Sequence, residues 1–139
     1  MNTRHTELIV SIRLTDEGRQ AVLVPEKLTL NLGLQPTKTW KKGKRSGNWP
    51  VSAKFNGWEL ESGLPRTASL GDHLQALKVQ VAPAEAALTK LARQWNATLW
   101  LVQYVDGYGQ EIILENAWLK WASGLGLSVV VDTYAMGEG

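Results

Sequence analysis

Residues 97–105, ATLWLVQYV, are apolar on both faces of an extended chain, with Leu99, Leu101 and Val105 on one and Trp100, Val102 and Tyr104 on the other. Such a strand must be covered above and below, which places it in the interior of a sheet. Residues 7–14 supply a half-buried companion, in which Leu8, Val10, Ile12 and Leu14 alternate with Glu7, Ser11 and Arg13, and only Ile9 breaks the pattern. Residues 127–134, rich in β-branched side chains, predict a last strand.

Helical spacing fills the gaps between these strands. Pro25 opens a short helix in which Leu28 and Leu32 share a face, and Gly33 supplies the left-handed residue that ends it. Ser69 and Asp72 mark the start of another helix, with Leu70, Leu74, Leu77 and Val81 as its apolar stripe. Pro83 breaks the run near Ala82 and opens a further helix striped by Ala84, Leu88, Leu91 and Trp95. Leu114, Trp118 and Trp121 mark a final helix that Gly124 would terminate. The order predicts an α+β domain over residues 1–139, with its core at about 7–135. Its mixed, mainly antiparallel sheet has about five strands and helices on one face, in a ferredoxin-like βαββαβ order plus one αβ unit.

Between the first two helices lies the most unusual segment, residues 32–61, which holds three of the seven tryptophans. Asn56-Gly57 between VSAKF and WELES predicts a two-residue hairpin turn, pairing Phe55 with Trp58, Ala53 with Leu60 and Lys54 with Glu59. Upstream, Pro36, Gly43 and Gly47 punctuate a run in which Lys38, Lys41, Lys42, Lys44 and Arg45 crowd together, flanked by Trp40 and Trp49. The two indoles either pin this loop to the sheet or anchor a partner.

Composition narrows the chemistry. The chain has no cysteine, which excludes disulfides and thiolate metal sites and permits a reducing cytosol. No signal-peptide-like stretch opens it and no window approaches the roughly 18 apolar residues of a membrane span, so a cytoplasmic protein is expected. A net charge of +2 does not by itself imply nucleic acid. His5 and His73 are far apart and read as ordinary histidines, so neither a metal nor any other cofactor is expected. No GxSxG or GxxxxGK[ST] motif occurs. Glu59 and Glu61 read as surface sheet residues, and Asp132 with Tyr134 as structural groups on one strand face. Trp95, Trp100, Trp118 and Trp121 have the spacing of packing residues.

The segments LGLQPTKTWKKG at 32–43 and WELES at 58–62, the helix start LGDHL and the terminal VVVDTYA together resemble the bacterial domain-of-unknown-function family DUF4279. Gly33, Pro36, Thr37, Trp40, Gly43, Trp58, Asp132 and Tyr134 carry the likeness, which spans about residues 7–135. The polar insertion at 15–23 and the lysine-rich loop depart from it. The resemblance implies a small cytoplasmic α+β protein with no settled catalytic residues. Relatives that look like components of toxin and immunity neighbourhoods extend the implication to partner binding.

The expectation is thus a non-catalytic interaction protein of immunity type. It would bind a partner protein, such as a toxin, through loop 37–49, with Lys38, Trp40, Lys41, Lys42, Lys44, Arg45 and Trp49 facing a complementary acidic patch. Two alternatives stand beside it: single-stranded nucleic acid on the same loop, or an unrecognised enzyme using Asp132, Tyr134 or Glu61.

Overall fold

A computed structural model describes residues 6–43, 52–107 and 111–136. Five strands, β1 (Thr6–Thr15), β2 (Lys38–Trp40), β3 (Gly57–Glu61), β4 (Asn96–Val105) and β5 (Ser128–Ala135), form one sheet in the spatial order β2-β3-β1-β4-β5. The β2–β3, β3–β1 and β1–β4 pairs are antiparallel, and β4–β5 is parallel. The connections carry α1 (Pro25–Leu32), α2 (Leu70–Val81), a 3₁₀ turn (Ala82–Ala84), α3 (Glu85–Gln94) and α4 (Asn116–Gly124). The expected βαββαβ order with an added αβ unit is the order of elements along the chain.

Local signals place most elements. Ser69 caps α2, its Oγ accepting from Asp72 N at 3.1 Å, and Gly33 ends α1 at φ 67°. Pro83 sits in the 3₁₀ turn between α2 and α3. At the end of α4 the left-handed residue is Gly126 (φ 82°) and not Gly124, which is still helical. Leu125 and Leu127 are both buried there, so the chain turns only after the first of them has entered the core.

One face of the sheet carries the core. Leu8, Val10, Ile12 and Leu14 of β1, Trp58 and Leu60 of β3, and Leu99 and Leu101 of β4 pack against Leu28, Leu74, Leu77, Leu88 and Leu91 of the helices. Registers fix what the helix-free face presents. Lys38 and Trp40 lie beside Glu59 and Gly57, which lie beside Arg13 and Thr15. Those in turn neighbour Thr98 and Asn96; further along, Ser11 lies beside Trp100, which lies beside Val130, and Glu7 beside Tyr104, which lies beside Tyr134.

The expected hairpin of residues 51–62 is not formed. Residues 52–56 are not strand, and the partner of β3 across its outer edge is β2, with Lys38 opposite Glu59 and Trp40 opposite Gly57. No non-glycine residue among those described has positive φ, so Asn56 does not adopt the left-handed conformation of an Asn-Gly turn, and neither does Gly57. The expected Lys54–Glu59 and Phe55–Trp58 pairs are absent with it. The physical reason is long-range: the indole of Trp40 lies where a Cβ on Gly57 would be, so the glycine admits a ring and does not make a turn. Asn56 is spent on three segments at once. Its Nδ2 donates to Leu23 O at 2.7 Å, its Oδ1 accepts from Lys42 N at 2.6 Å, and its own N–H reaches Asp16 Oδ1 at 2.8 Å.

Candidate functional site

Arg13 sits at the centre of the polar group on the helix-free face. Its position on β1 points the side chain away from the core, and the register sets it between Glu59 and Thr98. The guanidinium carbon lies 4.3 Å from the ring centroid of Trp100 and 5.9 Å from that of Trp40, both within cation–π range. Nε approaches Glu59 Oε1 to 3.2 Å, an ion pair that is not aligned as a hydrogen bond. Glu59 is only 1 % exposed, and Lys38 Nζ completes its surroundings at 3.9 Å while reaching Glu61 at 3.7 Å. A buried carboxylate between two cations holds the guanidinium in place, so the aromatic–cation stack is built before any partner arrives.

Towards β5 the face continues in aromatic and charged groups. Tyr104 and Tyr134 stack at 5.7 Å, Arg66 lies 5.2 Å over Tyr104, and Arg66 pairs with Glu7 at 3.7 Å. Tyr134 donates to Asp132 Oδ2 at 3.1 Å, and that bond to a carboxylate holds its phenol above the usual tyrosine range.

The residues expected to bind a partner distribute differently from the loop reading. Trp40 is 9 % exposed, lies over Gly57 and meets Phe55 edge-on at 6.4 Å; of the two roles open to its ring, this geometry is the pin, which corrects its placement among the anchors. Lys38 belongs to β2 and is engaged by Glu59 and Glu61, so it is not a free loop cation. Lys41 reaches Glu26 at 3.1 Å, and this bond keeps the Glu26 carboxyl below its ordinary value. Lys42 is exposed at the mouth of a cavity of about 390 Å³, shared with Asp16, Arg19, Lys54 and Phe55. Lys44, Arg45 and Trp49 lie outside the described residues.

Other expectations meet the geometry as follows. Glu59, read as a surface residue, is buried beneath Arg13 because its true strand neighbours are β1 and β2. Trp100, read as a packing residue, lies opposite the core face and carries the guanidinium. Trp95, Trp118 and Trp121 do pack against the core. Asp132 and Tyr134 share a face, but Glu61 is three strand spacings away, about 14 Å, so the three do not converge on one reaction centre.

A pair not anticipated from sequence joins Ser62 and His73, with Oγ and Nδ1 2.6 Å apart. His73 is 1 % exposed, and burial pushes its pKa below the usual value against the opposing pull of Asp72. Its Nε2 is buried without a partner and no carboxylate orients the ring, so the pair lacks the relay that activates a serine. Arg13 was equally invisible, since an outward cation on an alternating strand acquires meaning only when the register sets Glu59 and Trp100 beside it. Among the described residues no group of three His, Asp or Glu side chains is placed to hold a metal, and no helix is long and apolar enough to cross a membrane.

Comparison with known families finds that the model of the domain of unknown function DUF4279 matches residues 5–136. No curated protein and no solved structure matches the chain.

Proposed function

The chain belongs to the DUF4279 family, and from that premise we propose that it is a non-catalytic binding protein of the bacterial cytoplasm. In this reading it docks a partner protein, in the manner of an immunity protein, on the helix-free face of its sheet. The observation that carries the reading is Arg13, stacked on Trp100 and tied to the buried Glu59 on the face opposite the one on which the described helices pack. Aromatic side chains interleaved with preorganised charge are the composition of binding hot spots. Tyr104, Tyr134 and Arg66 extend the same chemistry across β4 and β5.

The face favours protein over nucleic acid. Arg13, Lys38 and Arg66 stand against Glu7, Glu59, Glu61 and Asp132, so the face carries more carboxylates than cations for a phosphate to meet. Of the aromatics that would stack on bases, Tyr104 lies beside Glu7 on β1 and Tyr134 beside Asp132 on its own strand.

The test is affinity capture from cells of the protein's source at low and moderate salt, with wild-type protein, Tyr104→Ala/Tyr134→Ala and Lys42→Glu compared. The proposal expects one protein retained by the wild type and lost with the tyrosine variant. Loss with Lys42→Glu alone would return recognition to the loop. Salt-sensitive quenching of tryptophan fluorescence by an oligonucleotide would favour the nucleic-acid reading instead.

A further inference from the structure

The two edges of the sheet are treated differently. On one side, β2 is three residues long and is followed by Lys41 and Lys42, which blunts it against further pairing. On the other, β5 runs for eight residues, SVVVDTYA, with no proline, no lysine and a single charge. Among the described residues no strand pairs with its outer edge. The helical layer also stops short of it. Leu101 on β4 is fully buried, whereas its in-register neighbour Val131 is 50 % exposed. A long, apolar, unprotected edge strand is a template for another strand.

We propose that this edge pairs with β5 of a second copy, antiparallel across a two-fold axis normal to the sheet, joining two five-stranded sheets into one. The proposal stands apart from the recognition reading and rests on the sequence of β5 itself. In an isologous antiparallel pair, residues at equal distances on either side of the axis face one another. Centred on Val130, the register sets Val129 opposite Val131 of the second copy, on the helix side, and Asp132 opposite its Ser128, on the helix-free side. Apolar thus meets apolar, and the one charge meets a hydroxyl able to donate to it. Centred on Val131, the same strand would set Asp132 against Val130. Centred on Asp132, it would place two carboxylates face to face. The Val130 register satisfies all five pairs of its ladder, residues 128–132 of each copy.

Pairing of one strand edge buries less than a standard interface, so the dimer is concentration-dependent. Its occupants also gain cover for Val131, the residue the helices leave bare.

The chain has no cysteine, so a single introduced one reports the register without interference. The expectation for Val130→Cys is rapid oxidation to a covalent dimer, because directly opposed Cβ atoms lie about 4.5–5.5 Å apart, close to disulfide reach. Val131→Cys, displaced diagonally from its own copy, should cross-link at least about tenfold more slowly, given the longer diagonal separation. Sedimentation velocity of unmodified protein should show mass rising with concentration from 15.4 kDa towards twice that value. Val131→Lys, at a half-exposed site, should stay folded by circular dichroism and lose the rise. Equal cross-linking at 130 and 131 would overturn the register. Constant monomer mass, or a dimer that Val131→Lys leaves intact, would overturn the interface.

Discussion

Replacing Gly57 with alanine tests whether this glycine makes room for a ring or makes a turn. A Cβ at this position would fall inside the van der Waals envelope of Cζ2 and Cε2 of Trp40, and 2.7 Å from its Nε1. Since carbon atoms rest about 3.5–4.0 Å apart, the indole would have to retreat by more than about 1 Å. If the ring stays and the strands adjust, overpacking of this kind costs about 1–3 kcal/mol. If the ring is expelled, the loss approaches the roughly 3–5 kcal/mol of a buried Trp→Ala change. Alanine itself is worth about 0.5–1 kcal/mol over glycine in a strand, because it loses less backbone freedom on folding. Gly57→Ala should therefore destabilise the wild type by about 1–3 kcal/mol, yet be neutral or stabilising by up to about 1 kcal/mol in a Trp40→Ala background. Urea unfolding of the four proteins, followed by far-ultraviolet circular dichroism, gives the coupling energy directly. An equal cost in both backgrounds would mean that Gly57 is needed for its own backbone, and would refute the ring-seat account.

Three further outcomes follow from the same geometry. Arg13→Met leaves the Glu59 carboxylate with only Lys38 at 3.9 Å and should cost about 2–3 kcal/mol, less than a fully buried pair because the Arg13 side chain is 24 % exposed; Arg13→Met/Glu59→Leu should recover most of it, and a double variant as unstable as the single would contradict the pairing. Asn56→Ala strips the acceptor from Lys42 N and the donor to Leu23 O, at a cost of about 2 kcal/mol, and hydrogen exchange should accelerate at the Lys42 amide, unless some other group holds that segment. His73 is kept neutral by burial, so its folded pKa lies below the ordinary value of 6.5; its contribution is intact above that pH and is lost as pH falls through the folded pKa. The melting temperature should accordingly drop as pH falls below the ordinary histidine value of 6.5 in the wild type and change less in His73→Gln; parallel pH profiles would exclude this role.

What the sequence discloses here is what depends on near neighbours. The alternation of Leu8, Val10, Ile12 and Leu14, the Pro25 and Gly33 limits of α1, the Ser69 cap and the break at Pro83 are each set within a turn or two of chain, and each is found. Asn56-Gly57 is also a strong local signal, but here the partner of β3 is chosen by β2, by the seat that Gly57 gives Trp40 and by Asp16 and Leu23, which hold Asn56. Tertiary contacts outweigh the turn preference. The same distance effect hid the candidate site. Glu59 looks like a surface acid until β1 brings Arg13 beside it, and Trp100 looks like core until the helices choose the other face of the sheet. Of the basic loop, the lysines at 38 and 41 are engaged by carboxylates remote in sequence, a fact that no local charge count contains.

The central proposal, recognition on the helix-free face, is most directly tested by photo-crosslinking in cells of the protein's source. A benzophenone amino acid at position 104 reports on that face, and one at position 30, the 82 % exposed site of Leu30 on α1, reports on the helical side. The account predicts a discrete protein adduct from position 104 and none from position 30. An adduct from position 30 alone, or none from position 104, would contradict it.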